Sequence, residues 1–179
     1  MPNLIWTTIF TGVVLAVGYW SLGLATMLIF TTGFLTGLAL FVFRPAVVPF
    51  ARIRLQYWVC LALFAVHRAE EYFAGFFDEL ASITRVAKPD TTSLPVLSLV
   101  VLSVGAWLLV PALCGRTYFG TYLAWTFFAA LGITELAHLV VFPFVAGRPL
   151  DYFPGMASVI LLAPVAWWGM SVLWRSARA

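Results

Sequence analysis

The first 43 residues contain no charged side chain. As one helix they would reach about 64 Å, twice the hydrocarbon thickness of a bilayer, so the pattern predicts two apolar helices and a reversal. The reversal is expected near Gly18-Tyr19-Trp20-Ser21, where an aromatic pair suits a membrane interface, giving spans at 4–19 and 22–43. Arg44, Pro45, Pro49, Arg52 and Arg54 then break the apolar run as a short basic loop. Further apolar stretches at 52–74, 93–114, 117–145 and 153–174 complete six expected spans, and the polar segment Asp78–Thr92 reads as a solvated loop. Pro111 and Pro143 fall near span ends, whereas Pro164 inside the last span predicts a kink. Gly33 and Gly37, one helical turn apart, suit close contact between helices. The expected fold is an all-α, polytopic transmembrane bundle of six spans, one domain over residues 1–179.

Composition strengthens this reading. Of 179 residues 63% are hydrophobic and 9% charged, where soluble domains carry about 25% charged residues. That excludes a water-soluble globule and leaves no room for a second domain. The ten Lys and Arg against seven acids form no basic stripe, so a nucleic-acid partner is excluded. The basic residues report orientation instead. Arg44, Arg52, Arg54, Arg116, Arg175 and Arg178 fall on one side of a six-span chain and Arg85, Lys88 and Arg148 on the other, which predicts cytoplasmic N- and C-termini. Met1-Pro2-Asn3 offers no positive charge before the apolar run, so the N-terminus reads as a first span and not a signal peptide. Cys60 and Cys114 lie in apolar stretches and imply no disulfide.

The informative residues are ionisable groups inside the third and fifth spans: His67, Arg68, Glu70 and Glu71, then Glu135 and His138. Charges near a helix centre cost about 2.5–3.5 kcal/mol each on insertion scales, so three glutamates and an arginine need partners. His67 precedes Glu70 and Glu71 by three and four residues, and Glu135 precedes His138 by three, so each helix presents carboxylate and imidazole on one face. The two spans run parallel, and their depths agree. His67 and Glu71 lie about 22 and 28 Å along their helix, Glu135 and His138 about 27 and 31 Å along theirs.

Two imidazoles and three carboxylates at one point suit a divalent metal, iron or zinc, as one ion or two. His67, Glu70, Glu71, Glu135 and His138 are the expected ligands. Soluble di-iron bundles use Glu-x-x-His on facing helices with four carboxylates; here one motif is reversed and the carboxylates are one short. Arg68 reads as a local counter-charge. Without a metal, the same residues would form a polar network in which Arg68 pairs with a glutamate. In Asp151-Tyr152-Phe153-Pro154-Gly155, Asp151 and Pro154 suit the start of a helix, and Tyr152 enters near the cluster as a candidate proton donor.

The run His67-Arg68-Ala69-Glu70-Glu71 in a membrane helix, with Glu135-x-x-His138 and Tyr152-x-Pro154-Gly155 downstream, resembles the bacterial family of small integral membrane proteins named for its HXXEE motif. The resemblance implies a location in the bacterial inner (cytoplasmic) membrane and a shared intramembrane site containing His67, Glu70 and Glu71. It names no reaction. A more distant analogy is the sterol isomerase superfamily, where a small helical membrane bundle uses His and Glu to move protons on a lipid-like olefin, although its spacing differs from His67-x-x-Glu70-Glu71.

The expected function is a membrane-embedded metalloenzyme acting on a hydrophobic, lipid-like small molecule, with Glu70, Glu71 and Tyr152 as catalytic groups. A metal-free acid/base isomerase or cyclase of isoprenoid-like lipids, and a proton-coupled transporter or lipid-binding subunit, stand as alternatives. Membrane lipids are the expected surroundings, and a homodimer would supply the missing half of a transporter.

Overall fold

A computed structural model describes residues 2–149 and 151–177; Arg178, counted above in the charge balance, lies outside them. Among the described residues every regular element is helical. The charge-free N-terminal stretch forms α1 (Leu4–Leu24) and α2 (Thr26–Phe43), parted at Gly23, whose φ of 71° and ψ of 173° belong to no helix. The chain doubles back there, bringing the ring centroids of Phe10 and Phe34 to 6.3 Å. The reversal falls just beyond the expected Gly18–Ser21. Gly18 is packed inside the hairpin against Met27 and Thr31, while Gly23 takes the positive φ that a side chain would resist.

Five more helices follow: α3 (Arg54–Phe73), α4 (Phe76–Thr84), α5 (Leu94–Leu108), α6 (Tyr118–Val145) and α7 (Met156–Ser176). Among the described residues four helices, α1, α2, α6 and α7, are long and apolar enough to cross a membrane. Four of the six expected spans are thus matched, and the helices at 52–74 and 93–114 fall outside that class. α3 has a span's length at 20 residues, but Arg54, Arg68, Glu70 and Glu71 take it out of the apolar class. α5 widens into a π-turn at Val101–Gly105 and is interrupted at Leu109 before a further turn, Val110–Leu113, so it is shorter than the other four. Within the expected loop 78–92, residues 76–84 are helical, because Phe76 and Leu80 on one face of α4 are buried. Pro164 sits inside a helix that continues past it.

α6 is the central element. It is apolar all round, and its residues from Gly120 to Leu131 are buried on every side, as a helix surrounded by others must be. α2 reaches its backbone through Gly33 and Gly37: a Cβ on Gly33 would stand 2.4 Å from Ala130 Cα, and one on Gly37 2.5 Å from Thr126 Cα. α5 is wedged in by Trp107, stacked on Phe34 at 5.6 Å, its indole donating to Thr126 Oγ1 at 3.2 Å. Gly37→Val is expected to destabilise the fold by about 1–3 kcal/mol through overpacking. Gly12→Val, on α1 with open space around it, serves as the control in thermal unfolding in detergent, and equal shifts would refute the close-approach account.

The two ends of the bundle differ in charge. The Arg44 guanidinium lies 4.6 Å from the Trp174 ring centroid, and a Cβ on Gly115 would stand 3.1 Å from Pro49 Cα, so the Arg44–Arg54 loop, the start of α6 and the end of α7 share one end. At the other end Lys88 pairs with Asp78 at 2.8 Å and Arg148 with Glu79 at 3.0 Å.

Candidate metal centre

α3 packs through a stripe of Tyr57, Cys60, Phe64, His67 and Glu71, spaced by three and four residues. Its upper half is apolar; its last two members carry the chemistry. Tyr57 meets Phe127 of α6 at 4.9 Å between ring centroids, and one end further along His67 meets Glu135, so α3 and α6 run parallel.

α6 departs from α-geometry where the site begins. Ala130–Thr134 widens into a π-turn and Glu135–His138 tightens into a 3₁₀ turn. The widened turn directs the Gly132 carbonyl to the Trp167 indole of α7, a hydrogen bond of 2.6 Å. Side chains three apart eclipse in a 3₁₀ turn, so Glu135 and His138 project side by side.

Four side chains converge there. His67, Glu71, Glu135 and His138 are all buried, and one potential ligand atom from each lies within 4.8 Å of the other three. His67 Nε2 stands 3.2 Å from Glu135 Oε2 and 3.6 Å from Glu71 Oε1; His138 Nε2 stands 3.4 and 3.3 Å from the same two oxygens. A tetrahedron with metal bonds of 2.0–2.2 Å has edges of about 3.4 Å. Four of its six edges, those between imidazole and carboxylate, lie near that value here. The imidazole rings meet edge to face, 4.9 Å between centroids, inside an aromatic wall of Phe76, Phe142 and Phe153.

The tautomers follow from the outer hydrogen bonds. His138 Nδ1 contacts the Pro154 carbonyl, which only accepts, so Nδ1 carries a proton. Ser158 Oγ stands 2.8 Å from His67 Nδ1 and 3.3 Å from the Gly155 carbonyl, so a Ser158 hydroxyl that donates to Gly155 holds the His67 proton on Nδ1 and frees Nε2 to ligate. Both Nε2 atoms face carboxylate oxygens, His67 Nε2 within hydrogen-bond distance of Glu135 Oε2. Glu71 receives no well-directed hydrogen bond on either oxygen, although Arg68 pairs with Oε2 as an ion. Such an assembly repels itself unless a cation or two further protons lie between its members. Fixing the tautomer from behind is the usual arrangement for metal-bound histidine.

A family model described as "Protein of unknown function with HXXEE motif" matches residues 58–169, well over half of the chain. The chain belongs to that family. No curated protein and no solved structure matches it.

The two glutamates of the HXXEE motif do different things. Glu71 joins the group of four, while Glu70, expected among the ligands, turns away to the start of α7. Its carboxylate accepts from Ala157 N at 3.0 Å, Ser158 N at 2.8 Å and the Tyr152 hydroxyl at 2.7 Å. It caps α7 from a neighbouring helix, in the place expected for Asp151; the residue preceding α7 is Gly155, which has no capping side chain. Tyr152 does donate a proton, but to Glu70 and from a side chain 57% exposed. Burial, then the Glu70 carboxylate, push its hydroxyl up to about 12, so it stays a donor across the physiological range.

Ser158 and Gly155 are site residues that the sequence reading missed. Gly155 has φ of 96°, and a Cβ there would stand 2.4 Å from His138 Nδ1 and 2.9 Å from His67 Cε1. The only sequence signal was its place after Pro154 in the stretch that supports the HXXEE resemblance.

Glu135 and Arg68 also line a cavity of about 420 Å³ between α2, α3 and α5, walled by Phe30, Phe34, Phe64, Val100 and Trp107. The volume is within the 300–1,000 Å³ of small-molecule sites.

Proposed function

We propose that this HXXEE protein is a membrane-embedded metalloenzyme in which His67, Glu71, Glu135 and His138 hold one divalent cation, zinc or iron, and which acts on a hydrophobic, lipid-like molecule. The observation that carries the reading is the convergence of two buried Nε2 atoms on two buried carboxylates at 3.2–3.6 Å. Arg68, Glu71 and Glu135 together carry a net charge of −1, which favours a cation between them. A single ion is preferred over two, because Glu70 is committed to α7 and leaves no third carboxylate in the group.

When bound, such an ion supplies Lewis acidity or an activated water. The residues of the chain do the rest. Glu135 joins the centre to the apolar cavity, Phe76, Phe142 and Phe153 exclude water, and Arg68 balances the charge of Glu71. The basic end of the bundle, with Arg44, Arg52, Arg54, Arg116 and Arg175, supports a bacterial inner-membrane location with both termini cytoplasmic.

Protein purified from metal-replete cells is expected to contain about one zinc or iron per chain by plasma mass spectrometry, and His67→Ala and His138→Ala to lose it. Wild-type protein without stoichiometric metal would overturn the reading and leave the buried carboxylates for metal-free proton transfer.

A further inference from the structure

The cavity between α2, α3 and α5 has apolar walls and one cationic side chain, Arg68. Three of its hydroxyls have given their protons away: Thr31 donates to the Met27 carbonyl at 2.6 Å, Ser103 to the Leu99 carbonyl at 2.6 Å, and Thr134 to Thr32 Oγ1 at 2.8 Å, because the Thr32 hydroxyl is already spent on the Ile29 carbonyl. Arg68 differs. A guanidinium has five N–H donors, and among the described residues only Nη1 is engaged, with Glu71, while the Phe77 ring lies 6.0 Å from the guanidinium carbon. The side chain is half-exposed, and its remaining donors are free to take an acceptor that enters the cavity.

Charge narrows the acceptor. With a divalent cation held by the four ligands, both imidazoles are neutral, as ligation requires, and Arg68, Glu71 and Glu135 bring the charge of the site to +1. A singly charged anion neutralises it; a neutral head group leaves it positive and a doubly charged one reverses it. The walls, Phe30, Phe34, Phe64, Val100 and Trp107, offer contact for a hydrocarbon chain, and about 420 Å³ is room for one.

We infer that the ligand of this cavity is a single-chain monocarboxylate of fatty-acid type, its carboxylate on the free donors of Arg68 and its chain between α2 and α5. The inference rests on the metal reading above and names the substrate class of that site.

The test is photolabelling of the full chain in phosphatidylcholine nanodiscs with a diazirine-bearing palmitate, the labelled residues being mapped by mass spectrometry. Palmitate is expected to suppress labelling of α2 and α5 about tenfold more effectively than methyl palmitate or hexadecyl phosphate, the worth of one charge-assisted hydrogen bond. Arg68→Gln is expected to abolish that preference and Arg68→Lys to retain part of it. Ser103→Trp, which fills the cavity away from the four ligands, is expected to abolish labelling while metal content is unchanged. Equal competition by the ester, better competition by the phosphate, or undiminished labelling of Ser103→Trp would each overturn the assignment. Metal content measured on the same samples separates the two failures: full metal without preference for the acid sinks the substrate class alone, whereas absent metal sinks the centre.

Discussion

Glu71→Gln is expected to empty the metal centre, and Glu70→Gln to leave it filled but weakened. Glu71 places Oε1 3.3 Å from His138 Nε2 and 3.6 Å from His67 Nε2, so exchanging it for an amide removes a charged ligand and leaves Arg68 without its counter-charge. Metal content should fall below about a tenth of an ion per chain, since a neutral amide is a poor ligand for zinc or iron. Glu70 acts at one remove. It holds the N-terminus of α7, and with it Ser158, Gly155 and Pro154, which orient the two imidazoles. Losses in supporting groups of this kind usually weaken metal binding about 10–100-fold. Glutamine keeps one acceptor oxygen, so Glu70→Gln should still purify with metal and release it to a chelator at lower concentration. Chelator titration of both proteins decides the matter: equal behaviour of the two variants would mean that the motif's glutamates are not divided as described.

Gly155→Ala is expected to disrupt the metal centre through a single added methyl. Two penalties add. The φ of 96° disfavours any side chain by roughly 1–2 kcal/mol. The new Cβ would then stand 2.4 Å from His138 Nδ1, in a wall where overpacking costs about 1–3 kcal/mol. His138 cannot yield without losing the Pro154 carbonyl, nor His67 without losing Ser158. Gly147→Ala is the matched comparison: its φ is 70°, yet nothing lies within 4 Å of the added carbon. Thermal unfolding in detergent should show Gly155→Ala as the less stable by about 2 kcal/mol, with metal lost only from that variant. Similar melting curves for the two would refute the collision.

Much of the site was legible in the sequence because ionisable residues inside apolar helices have few explanations, and helical spacing fixes which of them share a face. The four that meet, His67, Glu71, Glu135 and His138, were all anticipated. Glu70 was not separable from Glu71 by that argument, since both lie one turn from His67. The distinction was present in the phase of the packing stripe: Tyr57, Cys60, Phe64 and His67 lead to Glu71, and Glu70 falls one position to the side, toward α7. Ser158 and Gly155 carry no chemistry that a linear reading detects, and their roles exist only because α7 begins beside α3.

The membrane helices were legible for α1, α2, α6 and α7, whose runs are uninterrupted. The other two failed for physical reasons. In α3 the site's own charges dilute an otherwise span-length helix, and in α5 a π-turn and an early stop shorten it. Helicity in 76–84 was hidden because its apolar face is narrow and its acids, Asp78 and Glu79, sit in the first turn.

The π-turn at Ala130–Thr134 has a consequence for how the centre is encoded. Below it and at its first residue, Gly37 and Gly33 clamp α6 against α2 in a fixed rotational setting; above it stand Glu135 and His138. A π-turn amounts to one additional residue in the helix, and each residue turns an α-helix by about 100°. The extra residue therefore works as an indexing step between two halves of one rod. A chain with the same side chains but lacking that residue would turn its carboxylate and imidazole away from His67 and Glu71.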